Sequence, residues 1–180
     1  ELACAYGGFV CNPIVQIYRD AEGQHIVADA RSRVLFVPQS FRRFDYEAMV
    51  SRIEDAWSDR PETVVVRPQN ESDRTSFEML LAEAAGPPEI AVVDANDIKL
   101  LMYTSGTTGP AKGVLHTHNT IGAEVRNFAG FLGLGADDVV LMPSPLGHIT
   151  GYLYGIQLPV TLGCRVVLMD VWDVARAADL

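Results

Sequence analysis

An α/β fold, with a layered and mostly parallel sheet flanked by helices, is what this sequence predicts, and three observations predict it. Apolar runs of four to six residues alternate with stretches of helical periodicity, the arrangement expected of buried strands joined by crossover helices. Glycine and proline fall between these runs and rarely inside them. The chain has 180 residues and is 48% hydrophobic, enough to bury a core of about one ordinary domain.

In chain order, residues 34–37 (Val-Leu-Phe-Val) form the first strand. Asp45 begins a helix that puts Met49, Val50, Ile53 and Trp57 on one face. Residues 63–66 are the next strand, and the polar stretch 67–76 is a linker. Phe77, Leu80, Leu81 and Ala84 mark a second helix stopped by Gly86-Pro87-Pro88, and residues 89–93 form a short extended segment. Residues 98–103 are a strand that runs directly into a glycine- and hydroxyl-rich stretch. Beyond it, residues 114–117 are extended, Thr117 or Asn119 caps a helix reaching Leu132, and Gly133 ends that helix. Asp137 and Asp138 precede a strand over 139–142, residues 152–162 are a buried helix with Gly163 as its stop, and 165–169 are a last strand. The stretch 174–180 is helix-like.

The chemistry concentrates at Tyr103-Thr104-Ser105-Gly106-Thr107-Thr108-Gly109-Pro110-Ala111-Lys112-Gly113, eleven positions behind a strand. Glycines let backbone N–H groups turn towards an anion, hydroxyls add donors, and a lysine supplies a mobile charge. Only Lys99 and Lys112 are lysines among 14 basic residues, so composition alone would place an arginine at the loop's end. The P-loop pattern fails, because Ala111 precedes Lys112 and Gly113 follows it. The dinucleotide fingerprint fails too, since Asp138 stands where a third glycine would follow Gly133 and Gly135.

What this stretch resembles is the signature of the adenylate-forming (AMP-binding) superfamily, which includes acyl-CoA synthetases, aryl-CoA ligases, luciferases and peptide-synthetase adenylation domains. Ala111 stands where that family commonly has proline, with Pro110 one place earlier, a departure that removes no phosphate ligand because proline has no N–H. A second stretch, Pro143-Ser144-Pro145-Leu146-Gly147-His148-Ile149-Thr150-Gly151, is similar to the family's proline-leucine-histidine-glycine motif. The N-terminal Gly7-Gly8, Asn12-Pro13-Ile14-Val15 and the run from Val34 to Pro38 look most similar to the branch of medium-chain and alicyclic acyl-CoA ligases, such as cyclohexanecarboxylate-CoA ligase.

The resemblance implies that residues 1–180 are part of the large N-terminal domain of an acid-thiol ligase, with the C-terminal domain absent. It implies ATP, Mg²⁺ and coenzyme A as reactants or cofactors and a small-molecule carboxylic acid as substrate. Thr104, Ser105, Gly106, Thr107, Thr108, Gly109 and Lys112 would hold the nucleotide's phosphates, Lys112 also acting in catalysis, and His148 would wall or gate the acyl site. In relatives a glutamate that helps hold magnesium, an aspartate on the ribose, a hinge and a C-terminal catalytic lysine come from later segments. The chain therefore reads as a piece of a larger polypeptide, and the alternative reading for the piece alone is a nucleotide-binding or interaction module without turnover.

Charge and cysteine usage bound the rest. A formal charge of −9 disfavours nucleic acid, which demands a basic face. Cys4, Cys11 and Cys164 are odd in number and lack C-x-x-C spacing, which fits a reducing cytoplasm and neither a disulfide framework nor a zinc site. No apolar run approaches the roughly 18 residues of a membrane span. His116 and His118 lack a third ligand at a suitable spacing, and Asp137-Asp138 reads as a solvated turn, so no metal site is expected. Tyr152, Leu153, Tyr154 and Ile156 at helical spacing read as core. Oligomeric state has no sequence signal here.

Overall fold

The computed structural model describes residues 1–104 and 109–180. The described chain forms two compact units, one made of Glu1–Gln16, Ile90–Met102 and Val114–Leu180, the other of Ile17–Glu89 and Tyr103–Gly113.

The second of these holds helix α2 (Asp20–Asp29), strands β1 (Val34–Pro38), β2 (Ser40–Phe41) and β3 (Phe44–Asp45), helix α3 (Tyr46–Ile53), β4 (Glu62–Val66) and α4 (Phe77–Glu83). Its centre is the parallel pair β1–β4, in register from Val34 opposite Glu62 to Pro38 opposite Val66. Thr63, Val64 and Val65 are buried in succession, the mark of a strand covered on both faces. Asp45 caps α3 by accepting from the Ala48 N–H at 2.8 Å, and the helix buries Met49, Val50 and Ile53 as the periodicity predicts. The helix ends at Ile53, however, and a 3₁₀ turn (Glu54–Ala56) carries the chain to Trp57, which is buried and donates from Nε1 to the Gln24 carbonyl at 3.0 Å. Helix α2 packs on α3 at Gly23, where an added Cβ would meet Ile53 Cδ1 and Met49 Cε at ordinary van der Waals distances of 3.6 and 3.7 Å. Arg52 ties the same two helices from outside, bonding both Asp20 oxygens at 2.8 and 2.9 Å. The apolar residues of α4 remain at least partly exposed, and the helix stops at Glu83, three residues before Gly86.

The other unit begins with α1 (Leu2–Gly7), after which Cys11 bridges in parallel to Leu100 of β5 (Ile98–Thr104). Strand β5 pairs with β6 (Lys112–Thr117). Helix α5 (His118–Leu132) follows, capped by Thr117 and closed by Gly133 at φ 68°, a left-handed position that glycine adopts without strain. Its buried stripe is Ile121, Val125 and Ala129. Then come β7 (Val139–Met142), α6 (Ile149–Tyr152), a π-wound turn (Leu153–Gln157), α7 (Leu158–Leu162), β8 (Arg165–Leu168) and α8 (Val174–Ala178). Strands β7 and β8 pair in parallel from Val139 opposite Arg165 to Met142 opposite Leu168. The core gathers Leu100, Met102, Ile121, Val125, Ala129, Tyr152, Leu153 and Leu158.

The α/β class and the parallel pairing of β1–β4 and β7–β8 agree with the sequence expectation. Among the described residues the sheet occurs as four two-stranded pairs, with β1–β4 and β7–β8 parallel and β2–β3 antiparallel. An apolar run shows that a strand is buried without showing which strand lies beside it. Residues 89–93 join no ladder; their tie is the Ala91 N–H to the Tyr6 carbonyl at 2.8 Å.

Candidate functional site

Strand β5 delivers Tyr103 and Thr104 to the start of the glycine- and hydroxyl-rich stretch, and β6 takes the chain away from Lys112 onwards. Tyr103 ends the strand as expected, and strand structure reaches further into the stretch than expected: Thr104, Lys112 and Gly113 also lie in β5 and β6. Ser105, Gly106, Thr107 and Thr108 lie outside the described residues. Across the mouth, Thr104 Oγ1 donates to the Lys112 carbonyl at 3.5 Å, a long and weak bond.

Lys112 is exposed, and among the described residues no carboxylate pairs with its ammonium. In a chain of net charge −9 that is a cation kept available. A Cβ built on Gly109 meets no heavy atom of the described residues within 4 Å.

Two groups from α2 meet the arms of the stretch. Tyr103 donates its hydroxyl hydrogen to Asp29 Oδ2 at 2.7 Å. Burial, the bond to Asp29 and that carboxylate's charge raise the phenol well above its ordinary range, so it stays a donor at every physiological pH. On the other arm His25 Nε2 lies 2.9 Å from the Ala111 carbonyl oxygen, which can only accept, so Nε2 carries the proton. The His25 and Tyr103 rings stand edge to face at 6.2 Å. Sequence reasoning missed both His25 and Asp29. Their four-residue spacing on a helix is the one signal they carry, and it does not name a partner 74 or more residues away.

His148 lies in the other unit, exposed, at the N-cap of α6. Its Nδ1 accepts from the Thr150 N–H at 3.4 Å, and its backbone N–H donates to the Pro145 carbonyl at 2.9 Å. The histidine therefore caps the first turn of α6. Gly147 makes the close packing of this loop possible. A Cβ on Gly147 would lie 3.0 Å from the Ile14 carbonyl oxygen, so backbone from the Asn12–Val15 stretch runs directly against the histidine-bearing loop. Two stretches noted separately in the sequence are thereby brought together.

The residues of the 103–113 stretch include no carboxylate, and the described residues hold no group of three histidine, cysteine or acidic side chains able to bind a metal ion. The donor set fits an anion and does not fit a Mg²⁺ site of its own.

The α/β scaffold thus carries a hydroxyl- and glycine-rich stretch between two paired strands, followed by a lysine that has no carboxylate partner among the described residues. The chain belongs to the AMP-binding enzyme family, whose pattern matches residues 1–180 throughout. It is 29% identical over 172 residues to the medium-chain fatty-acid–CoA ligase of Escherichia coli (strain K12), an alignment covering 95% of this chain and 30% of that protein. It is 35% identical over 170 residues to the sulfoacetate–CoA ligase of Cupriavidus necator, covering 93% of this chain and 30% of the relative. Among solved structures, o-succinylbenzoate CoA synthetase from Bacillus subtilis, in complex with its acyl-adenylate intermediate, superposes with a TM-score of 0.77 at 26% identity, over 98% of this chain and 41% of that one. An anthranilate CoA ligase in complex with anthranoyl-AMP shares the fold at a TM-score of 0.83 and 23% identity, over 96% of this chain and 32% of that one. The chain thus spans about a third of the length of these relatives. No helix among the described residues is long and apolar enough to cross a membrane.

Proposed function

We propose that this chain supplies the phosphate-binding stretch, and part of the acyl site, of an acid-thiol ligase that activates a carboxylic acid with ATP and passes it to coenzyme A. In that reaction a carboxylate oxygen attacks the α-phosphorus of ATP and pyrophosphate leaves with the bonding electrons, giving an acyl-adenylate. The thiol sulfur of coenzyme A then attacks the acyl carbon, and AMP leaves. Thr104, Ser105, Gly106, Thr107, Thr108 and Gly109 donate to the β- and γ-phosphates. Lys112 neutralises the charge that grows on the departing pyrophosphate, which is stabilisation confined to the transition state. His148 borders the acyl site. A reducing cytoplasm is the proposed setting, supported by three free cysteines.

The observation that carries this reading is the run Tyr103 to Gly113, bounded by paired strands and holding at Lys112 a cation without a carboxylate partner among the described residues. The named relatives support it, being CoA ligases of a fatty acid and of sulfoacetate. Its test is ATP–pyrophosphate exchange by the gene product that carries this chain. Lys112→Ala is expected to slow exchange on the order of 10²–10³-fold while changing ATP affinity far less, as for loss of one preorganised charge donor. Exchange at the unaltered rate would remove Lys112 from the chemistry.

A further inference from the structure

His25 and Asp29 lie four residues apart on α2 and so share one face of that helix. They grip opposite arms of the stretch that precedes and follows the family motif. Asp29 holds Tyr103, at the end of β5, through the 2.7 Å bond, and His25 holds Ala111, directly before Lys112, through the 2.9 Å bond. We propose that these two residues are positioning residues for the phosphate-binding stretch, a role that rests on the function proposed above.

The physical argument runs through the peptide plane. The Ala111 carbonyl and the Lys112 N–H belong to one rigid amide, so fixing the oxygen fixes the amide and the root of the lysine side chain. A swing of that plane would move the ammonium by ångströms, and misplacement of that size costs about 10²-fold in rate. On the other arm, the Tyr103 tether fixes the residue that leads into Thr104. Helix α2 is a firm anchor for both, since it buries Gly23, Ile26 and Val27, accepts from Trp57 through Gln24, and is bound to α3 by the paired bonds of Arg52 and Asp20. Arms held before the ligand arrives lose less entropy on binding it.

The test compares His25→Leu, His25→Gln, Tyr103→Phe and Lys112→Ala in pyrophosphate exchange by the gene product that carries this chain, with backbone hydrogen exchange at residues 109–113 and thermal midpoints measured beside it. Glutamine keeps an N–H donor near the Nε2 position and leucine does not. His25→Leu and Tyr103→Phe are expected to lower the exchange rate about 10- to 100-fold. His25→Gln is expected to restore it to within about threefold, and amide protection at 111–113 should fall with leucine and return with glutamine. Normal exchange in His25→Leu alongside a crippled Lys112→Ala would overturn the positioning role and leave the phosphate reading standing. Normal exchange in both would overturn the two together. Equal losses with leucine and glutamine, tracking equal drops in thermal midpoint, would show that the imidazole only packs, and would also overturn the proposal.

Discussion

Gly151 and Pro145 are pressed backbone to backbone: a Cβ added to Gly151 would overlap the Pro145 carbonyl oxygen and lie 2.8 Å from that of Ser144. The same Pro145 carbonyl accepts from the His148 N–H. The glycine of this motif therefore lets the first turn of α6 settle on the loop that presents His148.

Gly151→Ala should destabilise the protein by about 1–3 kcal/mol, since rigid backbone cannot yield as a side-chain tip would. Gly130→Ala is the matched control. Gly130 lies in α5 with nothing within 4 Å of its added Cβ, so alanine there should be neutral or stabilise by up to about 1 kcal/mol. Urea unfolding of the two variants checks the pair, and equal effects would mean that the crowding at Gly151 carries no energetic weight.

Leu100→Ala should cost about 2–5 kcal/mol. Leu100 is fully buried in the core between the Cys11 bridge and the strand end that leads to Tyr103. A loss below about 1 kcal/mol in denaturant titration would show that this core collapses around the gap.

Gly109→Ala should leave the thermal midpoint nearly unchanged, because its Cβ meets no heavy atom of the described residues within 4 Å. The same variant is expected to lower pyrophosphate exchange about tenfold or more, because the methyl group would stand where the anion approaches the backbone. Full activity would mean that the ligand does not come close to Gly109.

Asp20→Asn should lower the thermal midpoint slightly at neutral pH. The Arg52 hydrogen bonds hold the Asp20 carboxyl below its ordinary value of 3.8. A carboxyl depressed in the fold stabilises above its unfolded value and loses that contribution as pH falls through its folded value. The gap between Asp20→Asn and the parent should therefore close below about pH 3.8. Both side chains are about half exposed, at 51% and 44%, so solvent screening keeps the effect small. A gap that persists at low pH would assign it to something other than this ion pair.

Much of the fold was legible because its signals are local. Thr117 and Gly133 bound α5 as expected from cap chemistry, and Asp45 caps α3. The β2–β3 hairpin was not legible: its turn places Arg42 and Arg43 at φ 50° and 63°, where asparagine and glycine are the usual residues. Helix α2 was missed for a related reason. It meets the core through Gly23, Ile26 and Val27, too narrow an apolar stripe to show as amphipathic periodicity.

The candidate site divides along the same line. The eleven positions from Tyr103 to Gly113, with their hydroxyls and their lysine, were readable outright, because anion recognition needs those residue types side by side in one short stretch. The tertiary structure alone decided that Lys112 begins a strand, that His148 caps a helix, and that His25 and Asp29 hold the arms of the stretch. Those relationships join residues as many as 86 apart, and hydrogen bonds at that separation depend on how helices and strands pack, which no local pattern records.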